Sequence, residues 1–274
     1  MSWQLSDLVD LKALLVVALI FIPLERLIPH RHEQKALRRH WLNDAFYLFF
    51  NGIFIKAGLL IVVGGTLALI GYLIPDSVGE LVRSQPVWLQ AIEVIVIADI
   101  GFYLAHRAFH AFPFLWRFHA VHHSIEEMDW LAAHRVHPVD QVLTKSASYL
   151  PIFALGFSPL AIGIYVAIYQ WQSLLIHSNV KINFGPLKWV LASPQFHHWH
   201  HANERQAYDK NFSAQLPFID ALGGTLYLPN RMPSKYGTDD PVPSVYHEQL
   251  AYPFVGAKPR PSEGLASAVG DNQK

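Results

Sequence analysis

The chain has 274 residues, of which 52% are hydrophobic, 13% aromatic and only 15% charged, with 21 basic side chains balanced by 21 acidic ones. Charge balance excludes a nucleic-acid footprint, and the apolar excess points to lipid instead. Cysteine is absent, which removes disulfides, iron-sulfur clusters, haem-thiolate and Cys-type zinc sites.

In chain order, the first apolar run is Leu11 to Ile28, with Lys12 at its start and Glu25 and Arg26 near its end. It lacks a basic leader and a small-residue cleavage site, so it reads as a membrane span rather than a signal peptide. A longer run covers 44–74 and a third covers Pro86 to Tyr103; each is long enough to cross, or nearly cross, a hydrocarbon core of about 30 Å. The block from Gln141 to Ile176 has room for two passes, with a turn at Gly156, Ser158 and Pro159, and reads as a hairpin of helices near 141–157 and 159–177. The predicted fold is an all-α polytopic membrane helix bundle of about four spans plus a short helical hairpin. The basic loop carrying Arg26, Arg31, Lys35, Arg38 and Arg39 is assigned to the cytoplasm by the positive-inside rule. Tracing onward from that loop brings every clustered histidine to the same membrane face. Val180 to Phe254 is soluble in composition and suits a cytoplasmic histidine-rich cap. Residues 1–254 form one integral-membrane domain, and 255–274 reads as a disordered tail rich in Pro, Gly, Ser and charge.

Histidine carries the chemistry. Twelve of sixteen lie between positions 106 and 201, as His106-x-x-x-His110, His119-x-x-His122-His123, His134-x-x-His137, His177 and His197-His198-x-His200-His201. Residues three and four apart are neighbours on a helix face, so each group projects rings toward a common point. One structural zinc takes four ligands; ten or more histidines on one face therefore imply two ions. Imidazole ligands suit zinc, copper, iron or nickel. His30, His32 and His40 lie in the basic loop and read as headgroup-facing. Two other classes fit parts of the pattern. A b-type cytochrome needs isolated intramembrane pairs rather than adjacent ligands at helix ends, and a metal transporter or sensor needs a line of intramembrane ionisable groups, of which only Asp99 is present. No H-E-x-x-H occurs, which disfavours a zinc protease.

These boxes, together with Arg135-Val136-His137-Pro138, Ile176-His177-Ser178-Asn179, Asp209-Lys210-Asn211-Phe212 and the segment Phe218-Ile219-Asp220 followed by Gly223 to Pro229, resemble the fatty acid hydroxylase or sterol desaturase superfamily of membrane di-iron oxygenases, most strongly over 90–230. The resemblance implies two iron ions, with zinc as a substituted metal. It implies hydroxylation or desaturation of a lipid or sterol-like substrate with O2. The implied metal ligands are His106, His110, His119, His122, His123, His137, His177, His197, His200 and His201, with His134 and His198 less firmly placed. Asp99, Glu126, Asp140 and Asp220 are the nearby carboxylates available to the free ring nitrogens. With no dinucleotide fingerprint and no cysteine, electrons are expected from a separate cytochrome, ferredoxin or reductase. Compact length and the lack of a C-terminal retention signal lean toward a bacterial inner membrane, with the metal site on the cytoplasmic side.

Overall fold

The structure is a computed structural model and describes residues 11–255; the expected disordered tail, apart from Val255, lies outside the described residues. Among the described residues no strand forms, only two isolated bridges, Pro29 with Val180 and Ala202 with Tyr236. The helices are α1 (Leu11–Leu27), α2 (Trp41–Leu59), α3 (Gly65–Ile70), α4 (Asp76–Ser84), α5 (Val87–Ala111), α6 (Pro113–His123), α7 (Pro138–Ala154), α8 (Pro159–His177), α9 (Pro194–His200), α10 (Pro217–Gly223) and α11 (Tyr246–Ala251). A π turn at Leu60–Gly64 joins α2 to α3.

Proline punctuates this chain. Five helices, α6 to α10, begin with proline in the first turn, where the missing N–H would have had no intrahelical partner and the fixed φ suits the helix. Ser158 and Ser193 cap α8 and α9 by accepting from Ala161 N–H and Phe196 N–H, which satisfies one orphan donor at each start.

Among the described residues, three helices are long and apolar enough to cross a membrane: Trp41–Leu73, Val87–Ala111 and Pro159–His177. Their outward faces carry exposed Phe50, Phe54, Leu60, Ile61, Trp88, Ile92, Leu104 and Leu160, the surface expected of lipid-facing helices. The all-α helix bundle expected from the sequence is what forms among the described residues. The described part of the first run is a 17-residue helix, and the second arm of the hairpin, α8, is itself long enough to cross. The third span also continues beyond Tyr103 to Ala111, so His106 and His110 stand on the same unbroken helix as the apolar run.

α5 is the centre of the bundle, with α6, α7 and α8 packed around it. Its Val94 and Ala98 are fully buried against Ile152, Ala161 and Tyr165. Gly101 lets α7 approach closely, since a Cβ there would lie 2.2 Å from the Ala147 carbonyl oxygen. A second anchor is electrostatic. Arg38 from the basic loop pairs with Asp44 at the start of α2 and with Asp129 (2.7 Å), and Asp44 also holds Arg135. All four groups are buried, so each charge depends on its partners.

Gly101→Ala forces Cβ into backbone that has no rotamer to yield, and is expected to lower stability by about 1–3 kcal/mol. Thermal unfolding in detergent measures it, and an unchanged midpoint contradicts the packing account.

Candidate metal centre

Four helices deliver histidines with their C-terminal ends: His106 and His110 near the end of α5, His119, His122 and His123 at the end of α6, His177 at the end of α8, and His197 and His200 on α9 with His201 following it. Helix C-termini carry partial negative charge and favour cations. The rings form two groups, each with one nitrogen per ring lying within 4.8 Å of the others: His106, His110, His119, His123 and His200 in the first, and His122, His177, His197 and His201 in the second. The groups adjoin, with the His123 and His201 ring centroids 4.8 Å apart.

Each H-x-x-H-H box is divided between the groups. His119 and His123, four apart, face the first, and His122 between them faces the second. His197 and His201, four apart, face the second, and His200 faces the first. A spacing of four returns to nearly the same side of a helix, while adjacent residues differ by about 100°. The boxes therefore build two sites, not one.

Hydrogen bonding to the outer ring nitrogens fixes what the inner ones present. The Nδ1–H groups of His106, His122, His177 and His200 donate to the carbonyls of Phe212 (2.7 Å), Arg135 (2.9 Å), Ser173 (2.7 Å) and Lys210 (2.9 Å). His119 Nδ1 donates to Asp140 at 2.7 Å, and His110 Nδ1 lies 3.2 Å from Asp209. A carbonyl can only accept, so in neutral imidazoles the proton is on Nδ1 and the Nε2 lone pair points inward. Nε2 of His106 and Nε2 of His119 are nevertheless 2.9 Å apart, and those of His122 and His177 are 3.3 Å apart. Two inward lone pairs at these separations repel unless a cation lies among them. The donor set fits a metal pair held entirely by nitrogen.

Desolvation also keeps these rings neutral. Burial pushes His122, His123, His197 and His201 well below the ordinary imidazole value, and neighbouring histidines push them further; His200 falls to about 3 for the same reasons. Neutral imidazole is the metal-binding form. Because the folded-state values lie below the unfolded value of 6.5, an unfolded chain binds more protons as pH falls through that value, and the metal-free fold loses stability there. Urea unfolding of metal-free protein is expected to show lower stability at pH 5 than at pH 7.5; equal stability contradicts the burial of neutral rings.

Some expected residues stand elsewhere. His137 is outside both groups: its Nδ1 accepts from Val139 N–H to cap α7, and its Nε2 lies 3.2 Å from the Leu250 carbonyl. His198 is also outside, between Tyr236 OH (2.8 Å) and the Ser178 carbonyl, and His134 lines a neighbouring cavity. Among the carboxylates, Asp140 contacts a clustered ring directly. Glu126 is exposed and lies 4.0 Å from Arg39. Asp220 accepts from Phe212 N–H and Ser213 N–H, and Asp99 accepts from the N–H groups of Ala214, Gln215 and Leu216. Both carboxylates hold the 212–216 backbone, and through the Phe212 carbonyl they act on His106. Asp209 and the four carbonyl acceptors could not be assigned from spacing or composition. Two of the four, Lys210 and Phe212, lie in the Asp209-to-Phe212 motif, in which Asp209 and Asn211 take left-handed backbone (φ 56° and 60°).

A cavity of about 250 Å³ borders both groups, touching His106 and His119 of the first and His122, His177 and His197 of the second, and runs between α2, α7 and α8. Asp140 links this wall to the centre. Asp140→Asn removes the acceptor charge that orients His119 and is expected to weaken metal affinity by about 10–100-fold, as read by competition with a chelator; unaltered affinity refutes the orienting role.

Residues 91–225 match the fatty acid hydroxylase family. Ornithine lipid hydroxylase OlsE of Rhizobium tropici is 30% identical over 93% of this chain and 79% of its own length. Alkylglycerol monooxygenase of Homo sapiens is 32% identical over 53% of this chain, a stretch that spans only 32% of that protein, and very-long-chain aldehyde decarbonylase GL1-1 of Oryza sativa subsp. japonica is 28% identical over 53% of this chain and 25% of its own. No solved structure matches. With a hydroxylase aligned over 93% of this chain and the family's span, residues 91–225, containing every clustered histidine, the chain belongs to the fatty acid hydroxylase family of oxygen-dependent oxidoreductases.

Proposed function

We propose that the chain is a membrane di-iron oxygenase that hydroxylates or desaturates a lipid or sterol-like substrate, with O2 and electrons from a separate cytochrome, ferredoxin or reductase. The observation that carries this reading is the pair of adjoining imidazole groups with inward Nε2 atoms on the wall of a cavity between membrane helices. His106, His110, His119, His123 and His200 would hold one ion, and His122, His177, His197 and His201 the other. Iron so held supplies dioxygen activation and attack on an unactivated C–H bond. The protein's share is geometric: carbonyls and Asp140 lock the ring tautomers, and Phe102, Tyr169 and Ile176 give the cavity an apolar wall for a hydrocarbon chain arriving from the bilayer. Zinc is expected to substitute for iron without supporting turnover.

Residues 1–254 are read as one oxygenase domain. The positive-inside count puts the metal face in the cytoplasm, and the Rhizobium relative is in keeping with a bacterial inner membrane. Two other readings lose ground on specific contacts. Inner nitrogens about 3 Å apart leave no room for a haem between the rings. A transport path would need free intramembrane carboxylates, and both oxygens of Asp99 are occupied by backbone N–H groups.

The test combines metal and lipid analysis. Purified protein is expected to carry two iron atoms per chain and to convert a fraction of host membrane lipid to species heavier by one oxygen or lighter by two hydrogens. His122→Ala and His200→Ala, one from each group, are expected to abolish product while leaving membrane insertion intact. Full activity in either variant refutes the ligand assignment.

A further inference from the structure

Lys145 lines the cavity beside the metal centre, and the centre's chemistry as described makes no use of it. It sits on α7 five residues after Asp140, so its Cα is about 7.5 Å farther along the helix axis. Asp140, Gln141, Thr144 and Lys145 all face the cavity, which gives α7 a polar stripe on the side turned toward the histidines. The ammonium has no hydrogen-bond or ion-pair partner among the described residues. Asp140 is the one carboxylate on the cavity wall, and His119 already engages it at 2.7 Å. A desolvated cation between membrane helices is costly unless something negative completes it. Salt bridges elsewhere in this fold complete theirs: Arg38 and Arg135 each meet Asp44.

We infer that Lys145 is the anion-binding residue of this cavity and selects a lipid bearing an acidic group, a carboxylate or a phosphate, whose negative charge pairs with its ammonium while the hydrocarbon lies along the apolar wall. The inference rests on the reading of this cavity as the substrate cavity. His134, on the same wall, adds a second polar group. Burial first, and the Lys145 charge after it, hold that ring down to about 4, so near neutral pH it can donate a hydrogen bond to the same anion without adding charge. A neutral ligand of equal chain length leaves the ammonium uncompensated, and the affinity difference between acid and alcohol therefore measures the pairing.

The experiment uses full-length, zinc-loaded protein in detergent, titrated with hexadecanoate, hexadecyl phosphate and hexadecan-1-ol. At least one anion is expected to bind about tenfold or more tightly than the alcohol, the scale of a charge-assisted hydrogen bond, and the tighter of the two identifies carboxylate or phosphate. In Lys145→Met the preference is expected to shrink to within about twofold with alcohol binding retained, and in Lys145→Arg to persist. Equal binding of all three probes by the wild type overturns the inference, and so does an undiminished preference in Lys145→Met. Should that variant fail to fold, Lys145→Gln is read by the same ratio. Zinc-loaded protein performs no oxidation, so binding and turnover fail separately: selective binding with no oxidised product from the iron-loaded enzyme removes the oxygenase reading alone.

Discussion

The structure depends on one arrangement: neutral imidazoles whose outer nitrogens are committed to fixed acceptors, so that their inner lone pairs confront one another inside a dry protein. Each such ring is stiff because its acceptor is stiff. The Arg135 carbonyl that receives His122 belongs to a residue whose guanidinium is locked onto Asp44, which also binds Arg38. The Phe212 carbonyl that receives His106 belongs to a strip of backbone pinned by Asp220 on one side and Asp99 on the other. Left without a cation, the converging lone pairs would repel in a medium that screens little. Metal binding and folding are therefore coupled, as in other sites whose ligands do not assemble in the unfolded chain.

This coupling explains why so many buried charges surround an apolar bundle. Arg38, Asp44, Asp129 and Arg135 form a closed set, and their role is to fix direction rather than to add stability, since buried ion pairs seldom exceed the cost of their own desolvation. They join the basic loop, the start of α2 and the segment leading into α7. The membrane-facing surface is ordinary apolar packing. The specific contacts lie where the helices end, and there the negative ends of α5, α6, α8 and α9 face the same small volume.

Much of this was legible in the sequence because two periodicities are strong: long apolar runs for the helices, and spacings of three and four for the histidines. His106, His110, His119, His122, His123, His177, His197, His200 and His201 could be singled out by spacing and resemblance alone. Their partition was not legible. A spacing of four says that two rings share a side, but not which of two neighbouring centres that side meets, and this depends on how α6 and α9 cross in space. His137 stands outside both groups for a related reason: a histidine just before a proline-initiated helix can cap that helix, as it does here. Backbone carbonyl acceptors carry no side-chain signature, so four of the six outer-nitrogen partners were invisible. Asp99 was legible as an anomaly, a carboxylate in an apolar span, yet its partners lie 115 to 117 residues away.

The partition has a chemical consequence that a count of histidines conceals. Five nitrogens face one group and four the other, so two ions of equal coordination number would not be equivalent: the four-histidine side offers one more position to an outside ligand. That side also supplies three of the five clustered rings on the cavity wall, His122, His177 and His197. The crossing over of His122 and His200 is one ring for one and leaves the count unchanged; the asymmetry comes from the added histidines, His106 and His110 with the first group against His177 alone with the second. A symmetric pair of boxes, joined by an unequal number of additional histidines, is enough to make a set of ligands with one side more open than the other and to turn the open side toward the cavity between α2, α7 and α8.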